Sequence, residues 1–297
     1  MFTARNLHVI ILAGDEDPRL FPLTSTLSGV ALPKQFAFIA GDGSLLQQTV
    51  ASYAALVPPK RIAVVVSTRY ADLARTQLRQ WRGIGILACP LDRGPAVDLL
   101  LALERVVAVA PEAAVVVAPA HHYVPGASVL AGSLVAASLA LATCPIIVAG
   151  AAMNGVAAGD RIVVPGTGLD GRVLSVRRLA ELASPSQAKR LKASGALWDT
   201  SAFTARAADL WKMASRELPG ALQEVTKDLG VIPVHGSGWN AWSTPEQVML
   251  SLSDPLDLDR LFSRIYQRQH GITHVQMRRR FRAEAKIREV PEQVIHR

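Results

Sequence analysis

Two adjacent histidines follow a buried apolar run near the middle of the chain. The run Val115 to Ala118 ends at Pro119, and the sequence then reads AHHY, so His121 and His122 lie where a predicted strand ends. Functional side chains in α/β proteins gather at such strand ends. A zinc or manganese site would need a third ligand, and adjacent residues rarely bind one metal. The spacing therefore favours a solvated or hydrogen-bonded pair.

Near the N-terminus, a second group of residues indicates phosphate chemistry. The first apolar run ends at Gly14, and the cations Arg19 and Lys34 follow it. A glycine turn after a strand exposes backbone N–H groups, which bind phosphates together with nearby cations. The acidic residues at 15–17 would form either a metal site or an exposed acidic loop, and the second interpretation is favoured.

The elements that position these residues alternate between apolar runs and amphipathic stretches. Ser44 and Asp98 lie near two of the predicted helix starts. The alternation predicts an α/β fold with a doubly wound, mostly parallel sheet and right-handed crossovers. Strands are predicted at 8–14, 61–67, 113–119 and 145–150, paired strands at 160–166 and 171–181, and helices at 44–57, 69–81, 96–110, 184–195 and 256–271.

Positive charge is concentrated at the C-terminal end of the chain. The 297 residues are half hydrophobic and carry a net charge of +8. Residues 260–297 hold ten Lys or Arg against three Glu, a balance of +7, so the rest of the chain is nearly neutral. We expect one domain at 1–250 and a basic helical tail at 251–297. The apolar residues Leu258, Leu261, Phe262, Ile265 and Tyr266 repeat at helical spacing and give that tail a face to bury.

Cysteine usage and hydropathy favour a cytoplasmic protein. Cys89 and Cys144 are the only cysteines, and their spacing does not suggest a disulfide framework or a zinc site. The uncharged stretch 127–153 is long enough to span a membrane, but Pro145 interrupts it. We interpret it as a buried helix followed by a buried strand. The N-terminal residues lack the long apolar core of a signal peptide.

Several motifs together resemble those of the sugar-nucleotide pyrophosphorylases, and most closely the mannose-1-phosphate guanylyltransferases. LAGDEDPRLFPLT resembles that family's LAGGxGTRLxPL, and LPKQFAFIAGDGSLLQQT resembles its PKQF and SLLQQT. Further motifs follow in the family's order up to residue 248: CPLDRGPAV, APAHHY, VRRLAEL, LWDTSAF and WNAWSTPEQV stand where the family has EPxxRNTAPAI, PADHY, VxxFxEKP, LWNTGxF and WSDWGTPERV. The resemblance implies the nucleotidyltransferase fold, of the GT-A or Rossmann-like type.

The resemblance also implies a reaction and a set of site residues. The reaction is a metal-dependent transfer of GMP from GTP to a sugar 1-phosphate, with release of pyrophosphate. Two cations, Arg19 and Lys34, match phosphate-binding positions. The matching nucleotide-binding positions are Leu12, Ala13, Gly14, Gln35 and Pro95, and those on the sugar side are Glu181, Asp199 and Thr200.

The sequence departs from the family where the chemistry is concentrated. The family's metal ligands are the Asp of PADHY and the Asp of SDWG, and His121 and Ala241 occupy those positions. Mg²⁺ prefers oxygen ligands, which a neutral imidazole and a methyl group do not offer. In the phosphate loop, Asp15 and Asp17 replace glycines, and Pro18 removes a backbone donor. We therefore predict that metal-dependent catalysis is lost.

Three functions are consistent with these observations. The leading one is a pseudoenzyme that binds GTP or a GDP-sugar without a metal cofactor, or that regulates a partner protein. We expect it to form a homo-oligomer or a hetero-oligomer with an active relative. The first alternative is a divergent but active guanylyltransferase that uses Mg²⁺ to make GDP-mannose. The second is a scaffold that binds nucleic acid or a membrane through the tail. Nucleic acid ranks lower as a partner, because Phe281 is the only aromatic residue in the basic run, and such a run offers charge without a way to recognise bases.

Overall fold

The computed structural model describes residues 6–14, 17–90, 94–153, 161–182, 185–216, 229–252 and 255–270, and strands and helices alternate along them. Residues Asp15, Glu16 and Arg93 and the segment 271–297 lie outside the described residues. The strands are β1 (Leu7–Leu12), β2 (Ile62–Ser67), β3 (Gly85–Cys89), β4 (Ala114–Pro119), β5 (Ile146–Ala152), β6 (Arg161–Asp170), β7 (Val173–Glu181), β8 (Leu197–Arg206) and β9 (Leu229–Val234). The helices are α1 (Phe21–Ser28), α2 (Leu45–Ala54), α3 (Ala71–Gln77), α4 (Gly94–Val109), α5 (Ala127–Ala137), α6 (Pro185–Ala193), α7 (Ala207–Arg216), α8 (Pro245–Ser251) and α9 (Pro255–His270).

One sheet contains all nine described strands, in the order β3-β2-β1-β4-β8-β5-β9-β7-β6. The first four are parallel, as the alternation of strands and helices predicted. Beyond them the sheet is mixed, because β8 is antiparallel to both β4 and β5. β6 pairs with β7 and also with β8, so five strands close into a barrel. The prediction of a doubly wound, mostly parallel sheet is therefore confirmed for the first four strands and wrong for the mixed, partly closed remainder.

Local sequence explains the boundaries of several helices. Ser44 caps α2 with a full capping box: its hydroxyl oxygen accepts from the backbone N–H of Gln47, and the side-chain oxygen of Gln47 accepts from the backbone N–H of Ser44. Thr244 caps α8 by accepting from the N–H of Gln247. Asp98 does not mark the start of α4, which begins four residues earlier at Gly94.

The uncharged stretch 127–153 forms α5 and β5, as interpreted from its sequence. Apolar side chains from both elements pack in the core beside β1 and β4. Within the described residues, no helix combines the length and apolarity needed to cross a membrane.

Helix α9 packs on the body of the protein and not apart from it. Leu261 is fully buried, in a cluster that also holds Leu20 and Trp242, and Leu258 and Ile265 pack against that cluster. Polar contacts also hold α9: Asp257 accepts a hydrogen bond from the backbone N–H at position 41, and Arg264 donates to the carbonyl of residue 38. The predicted tail at 251–297 thus begins with a helix that is continuous with the domain. The Phe262 side chain remains 53% exposed.

Candidate functional site

A cleft of about 180 Å³ opens where β1 and β4 end. Because β8 is antiparallel to β4, its first residues reach the same edge of the sheet. The turn after β9 completes the wall. The lining residues are Asp17, Arg19, Lys34, His121, His122, Arg161, Asp199, Ser201, Trp239, Ala241 and Ser243.

Two loop segments that are distant in sequence are tied together beneath this cleft. Tyr123 and Asn240 exchange two backbone hydrogen bonds of 2.9 Å. The ring of Tyr123 stacks on Trp242 with centroids 4.2 Å apart, and Trp242 is fully buried. Positions 121 and 241, one on each of the two bridged segments, line the same cleft.

Lys34 anchors the floor of the cleft. Its Nζ donates to the carbonyl oxygens of Ala241 at 2.6 Å and Trp242 at 2.9 Å, and the residue is only 3% exposed. The next residue, Gln35, is also buried and donates to the carbonyl of Ala13. The PKQF motif thus fastens the end of β1 and the 239–243 segment to each other.

Asp17 and Arg19 form a closed pair at the mouth of the cleft. Both carboxylate oxygens of Asp17 accept from the Arg19 guanidinium at 2.8 Å, and one also accepts from the Arg19 backbone N–H. Burial alone would raise the pKa of Asp17. Hydrogen bonds from Arg19, with the charges of Arg19 and Lys34, outweigh burial and lower that pKa overall. Asp17, which replaces a glycine of the family motif, thus pairs with Arg19, which matches that motif.

On the opposite wall, Asp199 is held between a cation and a backbone donor. Arg161 approaches one of its oxygens at 3.2 Å, and the N–H of Ser201 donates to the other at 2.8 Å. Ser201 has a left-handed backbone (φ 55°), a conformation that favours glycine. In the LWNTGxF motif of the mannose-1-phosphate guanylyltransferases, which LWDTSAF resembles, a glycine occupies this position.

The two histidines have different surroundings. Their rings meet edge to face with centroids 4.3 Å apart, and His122 makes a second edge contact with Trp239. Burial, followed by the charges of His121 and Lys34, holds the pKa of His122 well below its ordinary value, although a hydrogen bond with the Thr200 backbone opposes this. His122 is therefore a neutral imidazole at pH 7.

Only some of the site residues implied by the resemblance line the cleft. Arg19, Lys34 and Asp199 line the cleft, whereas Thr200 is buried and donates its hydroxyl to the carbonyl of Ala149. Glu181 does not line the cleft, although it stands opposite Arg161 in the β6–β7 register. Pro95 is exposed near the start of α4, and Leu12 is half-buried at the end of β1.

Gly14 lies close to the carboxylate of Asp98, which α4 places against the end of β1. A side chain at position 14 would meet that carboxylate, so the Asp98 side chain would have to turn away. The sequence had suggested a phosphate-binding role for this glycine.

Sequence reasoning did not single out Arg161 or Ser243, both of which line the cleft. Arg161 was visible only as a basic residue at the beginning of a predicted strand. Its meeting with Asp199 depends on the pairing of Ile162 with Trp198 where the barrel closes.

The residues of the cleft do not fit a magnesium ion. Both described carboxylates are engaged, Asp17 by Arg19 and Asp199 by Arg161 and a backbone N–H. The positions that should supply oxygen ligands carry an imidazole and a methyl group. Across the described part of the chain, no three His, Cys, Asp or Glu side chains stand close enough to share a metal ion.

Comparisons with known proteins give the fold. No protein-family model matches the chain, and no curated protein is detectably similar in sequence. A solved structure named mannose-1-phosphate geranyltransferase, from Thermus thermophilus, superimposes with a TM-score of 0.67 at 21% identity over 84% of this chain and 80% of that one. A mannose-6-phosphate isomerase from Helicobacter pylori gives a TM-score of 0.59 at 16% identity over 79% and 99% of the two chains.

A UDP-glucose pyrophosphorylase complexed with UDP-glucose is also similar, with a TM-score of 0.56 at 17% identity over 84% of this chain and 97% of that one. At such identities the likeness establishes the fold alone. The chain has the α/β fold of sugar-phosphate nucleotidyltransferases, as its motifs implied.

Proposed function

We propose that this protein is a pseudoenzyme of the nucleotidyltransferase fold, which binds a nucleotide or nucleotide sugar and does not carry out metal-dependent transfer. GTP and GDP-mannose are the first ligands to consider, because the motifs resemble those of mannose-1-phosphate guanylyltransferases. The solved structure named mannose-1-phosphate geranyltransferase supports a mannose phosphate on the sugar side.

One observation carries this proposal. His121 and Ala241 line the same cleft as Arg19 and Lys34, so the two altered positions stand together among the cations suited to phosphates. Phosphoryl transfer depends on a divalent ion that bridges phosphate oxygens and neutralises developing charge. Removing that electrostatic stabilisation removes a dominant part of the rate enhancement. Binding of a nucleotide depends less on the divalent ion than transfer does.

A pyrophosphate-release assay tests the loss of catalysis. With GTP, mannose 1-phosphate and Mg²⁺, we expect no GDP-mannose from the native protein. Turnover of about one per second or more, which is the ordinary range of enzymes, would contradict the proposal. An active guanylyltransferase run in parallel under the same conditions is the positive control.

Restoring the ligands separates the metal site from the phosphate loop. We expect His121→Asp with Ala241→Asp to regain metal binding but no activity, because Asp15 and Asp17 still oppose a triphosphate. Adding Asp15→Gly and Asp17→Gly should be required as well. Robust catalysis by the double variant alone would show that the loop is harmless.

A divergent but active guanylyltransferase is the competing candidate, with its metal held by substrate phosphates and a rearranged 15–17 loop. Asp17 is the described member of that loop, and Arg19 already occupies both of its carboxylate oxygens. This pairing favours an acidic loop over a replacement metal site.

The basic end of the chain is the proposed contact for a protein partner, either a second copy or an active relative. Because Leu261 is buried against the body, a truncation that tests this must leave α9 intact and end at residue 270. Light scattering and a DNA or RNA shift assay then compare the two lengths. If the shorter protein keeps its oligomeric state while the full chain binds nucleic acid at physiological salt, the protein-partner proposal fails.

A further inference from the structure

Helices α2 and α5 lie side by side on one face of the sheet and carry no charged residue. Both bury apolar side chains in the same core cluster. A narrow groove between them is lined by Ser52 from α2 and by Leu130 from α5. The stretches 44–59 and 127–143 contain no Asp, Glu, Lys or Arg, although these four residue types make up 19% of the whole chain.

The outward sides of these two helices are exposed and apolar or small. Leu56, in the turn that follows α2, is 43% exposed. Val129 of α5 is 43% exposed, and Leu139, in the short 3-10 helix that continues α5, is 65% exposed. The other exposed positions are Ala51, Ala55, Ser128 and Ala136. We call this surface the α2–α5 face. A helix that is apolar on every side is normally buried on every side, so the face is suited to a partner.

Other helices that cover the sheet expose charged side chains. Helix α3 packs on the same face of the sheet, yet its outward side holds Asp72 and Arg75, which pair at 2.6 Å. On the opposite face of the sheet, α4 exposes Glu104 and Arg105. The lack of charge is therefore a property of the α2–α5 face and not of the fold. Depletion of charge is the compositional mark of the core of an interface.

We infer that the α2–α5 face is the contact surface for a second copy of this chain, paired about a two-fold axis. In such a pair one patch meets itself, so a face without charge neither buries a charge nor opposes one. An anionic membrane or a charged partner would meet no counter-charge there. The stretches 44–59 and 127–143 also lack the Trp, Phe, Lys and Arg typical of helices that lie on a membrane. The inference goes beyond the proposed function, and neither depends on the other.

The size of the face sets the strength of the contact. With a rise of about 1.5 Å per residue and about 10 Å between helix axes, the two stretches cover roughly 500 Å². A standard interface buries about 800 Å² on each partner. We therefore expect a reversible dimer with a dissociation constant of about 1–100 µM. Because the contact is apolar, it should persist at high salt, whereas a contact made by the basic end of the chain should be screened.

Sedimentation velocity on the full chain tests this, at about 1–200 µM protein and at both ~0.15 M and ~1 M salt. We expect a shift from monomer to dimer across the concentration range, with no weakening at the higher salt. Val129→Lys with Leu139→Lys places like charges on both faces of the pair. It should raise the dissociation constant by about tenfold or more.

A charge swap separates a lost contact from a lost fold. Val129→Glu with Leu139→Glu should weaken self-association as the Lys pair does, because it also opposes like charges. An equimolar mixture of the Lys and Glu variants should restore the dimer, which misfolded chains could not do. The matched control is Val109→Lys with Leu250→Lys, at side chains of α4 and α8 that are 76% and 81% exposed. It should leave the dissociation constant within about twofold of native.

Each contrary outcome has a distinct meaning. A native chain that stays monomeric throughout would overturn the inference, as would a dimer that both charged variants retain. Loss of the dimer at the higher salt would assign the contact to the basic end of the chain instead. Flotation with phosphatidylcholine vesicles covers the remaining occupant: vesicle binding that the native chain shows and the Lys variant loses would assign the face to lipid. None of these results bears on nucleotide binding, so the inference can fail while the proposed function stands.

Discussion

The layer beneath the cleft and the surface of the cleft match the guanylyltransferase pattern to different degrees. Tyr123 and Trp242 match it, are buried, and stack on each other at 4.2 Å. Their chain neighbours His121 and Ala241 do not match it, and they line the cleft. Side chains one or two residues apart thus meet separate demands, one set by packing and the other by chemistry. A fold can therefore keep its stability while its site changes.

The largest effect should come from the buried layer. Trp242→Ala removes a fully buried ring together with its Nε1 hydrogen bond to Ser251, and we expect a loss of about 3–5 kcal/mol in the free energy of unfolding. Urea denaturation measures this. Ala241→Ser, one residue away on the cleft, should stay within about 0.5 kcal/mol of native. Similar losses from both would erase the distinction between the two regions.

The next effect concerns the turn that joins the loop after β4 to the loop after β9. A Cβ on Gly126 would lie 2.5 Å from the carbonyl oxygen of Gly236 and 2.9 Å from the Cα of Ser237. Because backbone atoms cannot rotate away, Gly126→Ala should cost about 1–3 kcal/mol. Gly132→Ala is the control, since nothing lies within 4 Å of a Cβ there and α5 should gain about 0.5–1 kcal/mol. Thermal unfolding distinguishes the two directions.

A smaller change, of opposite sign, is expected on the surface of the cleft. Ser201 holds φ at 55°, which strains any residue that has a Cβ. Ser201→Gly should therefore stabilise the fold by about 0.5–1 kcal/mol, since the strain relieved exceeds the added freedom of the unfolded chain. The measurement is the urea midpoint at unchanged slope. A destabilised variant would mean that the hydroxyl of Ser201 contributes more than the backbone strain.

The smallest effect is the pH dependence of the Asp17–Arg19 pair. Folding lowers the pKa of Asp17, so its stabilising contribution is complete above the unfolded value of about 3.9 and disappears as the pH falls through the lower folded value. At pH 7, Asp17→Asn should cost no more than about 1 kcal/mol, because Arg19 is 57% exposed and solvent screens the pair. Unfolding curves of the native protein and the variant should converge at acid pH. If the difference in unfolding free energy between the native protein and the variant grew at acid pH, the lowered pKa would not belong to Asp17.

Local sequence was sufficient for the strands that are apolar throughout. β1, β2, β4 and β5 were predicted within two residues at each end, because strands covered on both faces are continuous runs of apolar residues. β3 was not predicted. It begins with glycine and has only four apolar residues, 86–89, of which Leu87 and Cys89 alone are buried, so its run is shorter and less covered than the others. Helix α2 was predicted together with its cap, because Ser44 and Gln47 form the capping box within one turn of chain.

The sequence by itself also identified several residues that line the cleft, among them His121, Arg19 and Lys34. The tertiary structure decided how they are engaged. Arg161 meets Asp199 only because β6 pairs with β8 and closes the barrel, a contact between residues 38 positions apart that no local pattern encodes. Likewise, Lys34 reaches the carbonyl of Ala241, 207 positions away, through the packing of two loops. Short-range patterns specify strands and caps, whereas the partner of a charged side chain depends on which distant segments the sheet brings together.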